Sequence, residues 1–326
     1  MNILFAIGRK RVFYLARERP VTARAVPDGI SPASIKAMEA RPIVSRWPDR
    51  GGTFFNKERK SMIEVKGISK TYRVRRREAG LKNALRSLFS HAYTEVPALR
   101  EMTFTIPDGQ ILGYIGPNGA GKSTTIKILC GILRPDSGTC TVDGLVPWSD
   151  RRRHVARLGV VFGQRSQLWW DVPIMESFLL LRDIYRVSEP EFQANLTRLT
   201  ELLDLSELLR TPARMLSLGQ RMRCEIAAAL LHSPRVLFLD EPTIGLDAVS
   251  KLKVREFIRE QNRLCGTTVI LTTHDMQDID ALCSRVLLVG KGQLLLDGTT
   301  AQIRAMAGEN LSTEESVADL YRRFGI

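Results

Sequence analysis

A glycine-rich stretch followed by lysine and serine carries the clearest chemical signal in the sequence. Residues 116–123 have the sequence GPNGAGKS, which matches the phosphate-loop pattern G-x-x-x-x-G-K-[ST]. Glycines let backbone N–H groups close on a phosphate, because no Cβ stands in the way. The lysine can reach the β- and γ-phosphates, and the serine hydroxyl can bind Mg²⁺. The residues of the predicted nucleotide-binding loop are Gly116, Pro117, Asn118, Gly119, Ala120, Gly121, Lys122, Ser123 and Thr124.

Two adjacent carboxylates follow an apolar run much later in the chain. Asp240 and Glu241 come directly after residues 236–239, whose sequence is VLFL. A carboxylate at the tip of a buried strand beside a phosphate loop can contact Mg²⁺, usually through water. The next residue can orient or deprotonate the water that attacks the γ-phosphate. An apolar strand ending in Asp-Glu is often only structural, but the phosphate loop upstream favours the functional interpretation.

The elements that must position these residues follow a βαβ pattern. An apolar run at 111–115 predicts a buried strand before the loop, and the apolar period after the loop predicts a helix. Further buried strands are predicted at 158–162, 235–239, 267–271 and 285–289, with helical segments between them, as in a parallel sheet. Other expected elements are strands near 63–72, 103–106 and 139–144, helical segments over 172–209, and a helix at 314–324.

A short motif between the loop and the carboxylates gives the first resemblance to a known family. Residues 216–220, with the sequence LSLGQ, precede a helical run. Here the chain resembles the ATP-binding cassette (ABC) family, whose signature motif this is. Gln164 after the predicted strand at 158–162, IGLD at 244–247 and TTHD at 272–275 also match, in the family's order. The match spans about residues 62–297.

The resemblance implies a fold and a domain arrangement. The expected class is α/β, a P-loop NTPase of the ABC type. It has a mostly parallel core sheet, a small antiparallel β subdomain, and a helical subdomain inserted at about 165–232. The cassette is expected over 62–326. Residues 1–61, which mix basic residues with prolines, are expected to be a poorly ordered extension. A basic arm that touches a membrane is the alternative, and Met62 could be the natural start.

The resemblance also implies a site shared by two protomers, each nucleotide lying between the phosphate loop of one and the signature helix of the other. Ser217 and Gly219, with Leu218 and Gln220, would act in trans on the γ-phosphate. The family commonly has glycine at the position of Leu218, so altered packing is expected there.

Further single residues receive roles from the same resemblance. Gln164 would contact Mg²⁺ and the attacking water, so the implied metal contacts are Ser123, Gln164 and Asp240. His274 would hold the γ-phosphate, and the implied catalytic set is Glu241, His274, Gln164 and Lys122. Asp247 would lie at the dimer seam. Tyr72 would stack on adenine, although an isolated tyrosine more often packs in a core.

Composition limits the alternatives. The 326 residues are 44% hydrophobic, and 48 Lys plus Arg against 35 Asp plus Glu give a net charge of +13, which favours anionic partners without choosing among them. Five scattered cysteines show no paired spacing, so a disulfide framework or a zinc site is not expected. No apolar run approaches the roughly 20 residues that span a bilayer. Other chains would have to supply any membrane spans.

One cassette without a long heptad insertion favours a transporter ATPase that pairs with separately encoded permeases. We expect a homodimer that hydrolyses ATP with Mg²⁺. It would lie at the cytoplasmic face of the inner membrane, and no specific nucleic-acid partner is expected. Trp169 and Trp170 lie where the family contacts its permease, although they could instead fill the core of the helical subdomain. This stretch and the signature resemble daunorubicin-resistance and sodium-export-like exporter ATPases. The alternatives are an importer subunit and a soluble cassette ATPase acting on nucleic acid or ribosomes.

Overall fold

A computed structural model describes residues 61–75, 93–163, 165–307 and 311–326. Gln164 and residues 1–60 of the predicted extension lie outside the described residues. The strands are β1 (Ser61–Arg75), β2 (Tyr93–Pro107), β3 (Ile111–Ile115), β4 (Ser137–Val142), β5 (Leu158–Phe162), β6 (Val236–Asp240), β7 (Thr268–Thr272), β8 (Arg285–Gly290) and β9 (Gln293–Gly298). The helices are α1 (Lys122–Leu129), α2 (Arg151–Val155), α3 (Ile174–Tyr185), α4 (Glu189–Leu203), α5 (Leu218–Leu230), α6 (Ala248–Cys265), α7 (Met276–Leu282), α8 (Thr300–Ala307) and α9 (Thr313–Arg323).

The larger of the two described sheets has six strands in the order β5-β6-β7-β3-β8-β9. All neighbouring pairs are parallel except β8 and β9, which are antiparallel. Because β3 lies between β7 and β8, and β7 pairs with β6, the carboxyl ends of these strands meet along one edge. The phosphate loop and the two carboxylates therefore leave the sheet on the same side.

The smaller sheet is antiparallel, with the order β2-β1-β4. Val65 of β1 lies opposite Phe104 of β2 and Cys140 of β4. Its inward residues, including Val65 and Phe104, join Leu112, Tyr114 and other residues of the larger sheet in one buried apolar cluster. This cluster fixes the small sheet to the face of the larger sheet that carries α1, so β1 passes close to the phosphate loop.

A second apolar cluster joins the other face of the larger sheet to the helices that precede β6. Helices α3 and α4 contribute Phe178, Phe192 and Leu199, which are fully buried, and α5 contributes Ile226. Leu239 and Leu271 pack into it from the sheet. The apolar period of residues 172–209 thus forms helices that pack on α5.

The predicted fold class is confirmed. Every predicted strand is present, and the helices α3, α4 and α9 fall within or close to the predicted helical ranges. Strand β2 begins at Tyr93, ten residues before the predicted strand, because its first part is exposed and has no inward apolar alternation. Strand β9 and helix α8 add to the predicted elements. A turn with positive φ at Lys291 (47°) and Gly292 (78°) reverses the chain into β9.

Candidate functional site

The phosphate loop joins the end of β3 to the beginning of α1, and close contacts require two of its glycines. A Cβ at Gly116 would lie 2.5 Å from the carbonyl oxygen of Val289, and one at Gly121 would lie 2.6 Å from that of Ala98. Gly121 also has φ of 100°, and Gly119 has φ of 81° with no atom within 4 Å of an added Cβ. Crowding thus selects glycine on the inner side of the loop, and backbone conformation selects it on the open side.

Lys122 lies at the centre of the loop and is only 8% exposed. Its ammonium group donates hydrogen bonds to the carbonyl oxygen of Gly116 and, at 3.2 Å, to that of Pro117. Burial lowers the pKa of Lys122, while the negative charges of Glu241 and Asp240 raise it. The structure therefore brings the loop lysine and both predicted carboxylates into one electrostatic neighbourhood.

Thr272 lies opposite Asp240 on the paired strand β7 and holds the Asp240 carboxylate and the Glu241 backbone. The Thr272 hydroxyl donates to Asp240 Oδ1 at 2.5 Å. The backbone N–H of Glu241 reaches the Thr272 carbonyl oxygen at 2.9 Å and its hydroxyl at 3.2 Å. Glu241 has a positive φ of 55°, a strained conformation for a glutamate. Thr272 belongs to the recognised TTHD motif, but its buried hydroxyl was not predicted to hold Asp240.

Glu241 and His274 form a pair at the carboxyl edge of the sheet. The His274 Nε2 lies 3.0 Å from Glu241 Oε1, and the histidine is about half exposed. Both residues line a cavity of 240 Å³. The other residues lining it are Thr243, Ile244, Gly245, Lys251, Thr273 and Asp275. The cavity presents a carboxylate and an imidazole that can act on water and on an anion.

Behind this cavity, a buried carboxylate organises the loops that carry the pair. Asp278 is fully buried and accepts hydrogen bonds from the hydroxyls of Thr243 and Thr273, the latter at 3.0 Å. Arg255 Nε donates to the same carboxylate at 2.6 Å, so the buried charge is paired. Sequence reasoning missed this network, because single Asp, Thr and Arg residues on separate segments carry no motif.

The signature residues begin helix α5. Ser217 caps the helix: its hydroxyl accepts from the Gln220 N–H at 3.2 Å, and the Gln220 side chain accepts from the Ser217 N–H at 2.9 Å. The Ser217 oxygen acts as an acceptor in this capping box, so its O–H can still donate to an anion. Backbone N–H groups of the first turn point the same way.

The segment carrying Asp247 packs directly on the signature. A Cβ at Gly219 would lie 2.6 Å from the Ser250 hydroxyl oxygen, and one at Gly245 would lie 2.8 Å from Leu218 Cδ2. Asp247 caps α6 by accepting from the Ser250 N–H at 2.9 Å and from its hydroxyl at 2.7 Å. These hydrogen bonds lower the pKa of Asp247. Leu218 therefore packs close to Gly245.

The remaining predicted residues lie around the loop. Tyr72 of β1 is half-buried, and its hydroxyl is 3.4 Å from the Thr124 hydroxyl. Ser123 is exposed in the first turn of α1. Among the described residues, no hydrogen bond or ion pair joins the signature residues 217–220 to the phosphate loop. Within one chain, the structure thus brings together the loop, the carboxylates and His274, but not the signature.

A phosphate loop on a mostly parallel sheet, a small antiparallel sheet against it and a capped signature helix define the ATP-binding cassette class of P-loop ATPases. The ABC transporter family profile matches residues 99–244. The chain belongs to the ABC transporter family. It is the ATP-binding subunit of an ABC transporter, and it is an ATP hydrolase. Both agree with the prediction from the sequence motifs. Among the described residues, no helix has the length and apolar character needed to cross a membrane.

Three relatives with different named roles are similar to this chain in sequence. The chain is 30% identical over 233 residues to the linearmycin resistance ATP-binding protein LnrL of Bacillus subtilis, covering 72% of this chain and 74% of the relative. It is 31% identical over 203 residues to the ABC transporter ATP-binding protein NatA of Bacillus subtilis, covering 62% and 82%. It is also 34% identical over 236 residues to the methionine import ATP-binding protein MetN of Haemophilus influenzae, covering 71% and 68%.

Solved structures share the fold. The ATP-binding subunit of an ABC transporter aligns with a TM-score of 0.66 at 24% identity, covering 80% of this chain and 99% of that one. A dimeric post-hydrolysis state of the cassette MJ0796, bound to ADP and Pi, aligns with a TM-score of 0.60 at 24% identity, covering 73% and 98%.

Proposed function

We propose that two copies of this chain close on two ATP molecules, and that closure and hydrolysis drive export through separately encoded permeases at the cytoplasmic face of the inner membrane. The cassette comprises residues 62–326, and residues 1–61 form an extension to it. The observation that carries the catalytic part is the convergence of Lys122, Asp240 and the Glu241–His274 pair at one sheet edge.

The phosphate loop binds the nucleotide. Its N–H groups and the α1 N-terminus bind the phosphates, and Lys122 exchanges its loop carbonyl partners for the β- and γ-phosphates, which are stronger acceptors. Tyr72 stacks on the adenine from β1.

Glu241 orients the attacking water and accepts its proton, and His274 holds the γ-phosphate beside it. Thr272 keeps the Asp240 carboxylate at the end of β6, and Ser123 lies in the first turn of α1. A hydroxyl and a carboxylate suit Mg²⁺, which takes few protein ligands together with phosphates and water, so Ser123, Asp240 and Gln164 would hold it. When bound, Mg²⁺ neutralises the charge that develops on the phosphates.

Two features support a shared site. The signature cap at Ser217 has no phosphate-loop partner within its own chain among the described residues, although its hydroxyl can donate to an anion. Exposed apolar side chains also lie next to the signature in sequence, next to Gly245, which contacts Leu218, and in the first turns of α6. They are Met215, Leu218, Ile244, Val249 and Leu252. A second copy would cover this surface and bring its phosphate loop to Ser217, while Asp247 lies at the seam.

Two exposed tryptophans support a permease partner. Trp169 is 57% and Trp170 51% exposed, so the alternative that they fill the core does not hold. The Arg221 guanidinium lies 5.5 Å from the centroid of the Trp170 ring. Exposed, rigid aromatic side chains on a loop that packs against a helix are typical of protein–protein interfaces. Similarity to the linearmycin resistance protein supports export, whereas similarity to the methionine import protein keeps import as the second candidate.

The catalytic proposal is tested with two variants of the purified protein. Lys122→Ala should lose ATP binding, measured by equilibrium dialysis. Glu241→Gln should keep binding, lose hydrolysis by at least about a hundredfold, and form a dimer in MgATP by light scattering. Undiminished hydrolysis in Glu241→Gln would contradict the role of Glu241, and a monomer in saturating ATP would contradict the shared site.

The transport part is tested by recovering tagged Glu241→Gln protein with ATP from gently solubilised membranes. Co-purification of polytopic membrane proteins is the expected result. ATP-dependent uptake of a co-purified system's substrate into inside-out vesicles would support export, and uptake into right-side-out vesicles would support import. Recovery only with ribosomal or nucleic-acid-bound proteins would overturn the transport proposal and leave the ATPase site standing.

A further inference from the structure

The signature helix α5 carries a buried carboxylate that the proposed hydrolysis does not use. Glu225 is only 6% exposed and lies about two helical turns after Ser217. A buried carboxylate destabilises a fold unless hydrogen bonds satisfy it, so the partners of Glu225 indicate what it does.

Those partners all come from the loop that follows Gln164. The Ser166 hydroxyl donates to Glu225 Oε1, and the Gln167 N–H donates to Oε2 at 3.2 Å. The Gln167 side-chain amide donates to the Glu225 carbonyl oxygen at 3.0 Å. Burial raises the pKa of Glu225, and the hydrogen bonds from Ser166, Gln167 and Leu168 lower it. The carboxylate thus serves as the anchor for the backbone of residues 166–168.

The same face of α5 also contacts the exposed end of this loop. Arg221 lies one turn before Glu225, on the same side of the helix, and its guanidinium lies over the Trp170 ring. The Arg214 N–H, just before the signature, donates to the Trp170 carbonyl oxygen at 3.1 Å. One further contact goes to α3, where the Ser177 hydroxyl accepts from the Trp169 N–H at 3.0 Å. We name residues 166–170 the tryptophan loop.

We propose that Glu225 is a positioning residue that makes the tryptophan loop and the signature end of α5 move as one body. The inference rests on the proposed function, in which Trp169 and Trp170 meet a membrane partner and Ser217 meets ATP across the dimer. Movement of the tryptophans is then passed to Ser217 along a rigid helix, and ATP closure at Ser217 is passed back to the tryptophans. Loss of Glu225 removes the anchor of residues 166–168 and weakens the link, while the contacts of Arg214 and Arg221 with Trp170 remain.

Hydrogen exchange followed by mass spectrometry tests this link in full-length protein carrying Glu241→Gln, with and without MgATP. Three regions are followed: the phosphate loop (116–123), the signature with its flanking residues (214–221) and the tryptophan loop. The variants are Glu225→Ala, the isosteric Glu225→Gln, and Ser166→Ala, which removes one donor without changing α5. Glu256→Ala is the matched control, because Glu256 is exposed on α6. Melting temperatures are measured in parallel, and Ser166→Ala keeps the test valid if Glu225→Ala does not fold.

In the parent and the control, ATP should slow exchange in all three regions. In Glu225→Ala, exchange in the tryptophan loop without ATP should rise about tenfold, since hydrogen bonds to a charged group are lost. ATP should still protect the other two regions as in the parent, and its protection of the tryptophan loop should be clearly smaller than in the parent. In Glu225→Gln and Ser166→Ala, the exchange rate of the tryptophan loop and its protection by ATP should change in the same direction as in Glu225→Ala, but by less.

Unchanged ATP protection of the tryptophan loop in Glu225→Ala and Ser166→Ala would overturn the inference while the shared site stands. Protection of the phosphate loop without protection of the signature, in the parent itself, would instead overturn the shared site on which the inference rests.

Discussion

The hydroxyl of Thr272 is a single group that contacts both the Asp240 carboxylate and the backbone of Glu241. It donates to Asp240 Oδ1 and accepts from the Glu241 N–H. In Thr272→Val the shape is kept and both hydrogen bonds are lost. We expect hydrolysis to fall about tenfold, because a hydrogen bond to a charged group contributes about 1.5–3 kcal/mol, and we expect half-maximal activity to need more Mg²⁺. Steady-state ATPase assays over a Mg²⁺ titration measure both quantities.

The matched control lies at the other end of the same strand. Thr268 is fully buried on β7; its hydroxyl accepts from the Gly109 N–H at 2.8 Å and donates to Asp108 at 3.3 Å. Thr268→Val should lower the melting temperature to a similar degree and leave the Mg²⁺ dependence unchanged. An equal change in Mg²⁺ dependence in both variants would mean that loss of stability, and not loss of the Asp240 contact, explains the result.

His232 makes the stability of the fold depend on pH. Its ring stacks on Tyr185, with centroids 3.8 Å apart and an interplanar angle of 4°, and its Nε2 lies 2.8 Å from the Leu158 carbonyl oxygen. Burial lowers the pKa of His232 to about 4, whereas in the unfolded chain it is about 6.5. Between these two values the unfolded state binds an additional proton, so the free energy of unfolding should fall as the pH falls.

Through this group, the free energy of unfolding should fall by about 2–3 kcal/mol as the pH falls from 6.5 to 4. In His232→Gln the group that takes up the proton is absent. The free energy of unfolding, measured with urea at a series of pH values, should therefore fall less steeply toward low pH than in the parent. An identical slope in the two proteins would show that His232 does not account for it.

At the scale of elements, sequence predicted best where a motif needs a particular backbone. The phosphate loop, the strand that ends at Asp240 and the signature at Ser217 each follow from local residue types, and the structure places each at an element's end. Strand β9 and the first part of β2 were harder to predict, because both are partly exposed and are set by pairing with a neighbour.

Side-chain networks were the least predictable part of the site. Glu225 is an ordinary helical glutamate in the sequence, and its role depends on Ser166 and Gln167, which only folding brings near. Asp278 and Arg255 likewise meet across two helices. Such pairs have no sequence spacing of their own, so a single sequence contains no local signal for them.

The beginning of α5 allows the two roles of Ser217 to be separated. Aspartate caps a helix about as well as serine but adds a negative charge that repels phosphate. In Ser217→Asp, on the Glu241→Gln background, we expect an unchanged melting temperature and loss of the ATP-dependent dimer. Ser217→Asn caps the helix without adding charge, so it should retain more of the ATP-dependent dimer than Ser217→Asp. Dimerisation is measured by light scattering in MgATP.

A second capping box provides the control for this prediction. Ser312 caps α9 with Glu315 in the same reciprocal arrangement. Ser312→Asp should leave the dimer unchanged, although its new carboxylate lies beside that of Glu315 and should lower the melting temperature. If Ser217→Asp also dimerises normally, Ser217 is a helix cap alone and the anion contact in trans is wrong.

At the scale of the whole molecule, the two ends of helix α6 offer a test of the assembly. Val249 and Leu252 are exposed beside Asp247 at its beginning, where the second copy is proposed to pack. Leu264 is exposed near its end, away from that surface. The same helix thus presents apolar side chains both inside and outside the proposed interface.

Val249→Asp in the Glu241→Gln protein should weaken the ATP-dependent dimer at least about tenfold, because closure would bury an unpaired carboxylate. ATP affinity of the single chain should change little, since Val249 is not in the phosphate loop. Leu264→Asp introduces the same charge on the same helix and should dimerise like the parent. Sedimentation velocity over a concentration series with MgATP measures the dimer, and fluorescent ATP binding measures affinity. Equal weakening by both variants would indicate that charge on α6 acts through stability, and no weakening by Val249→Asp would mean that this face remains exposed when ATP is bound.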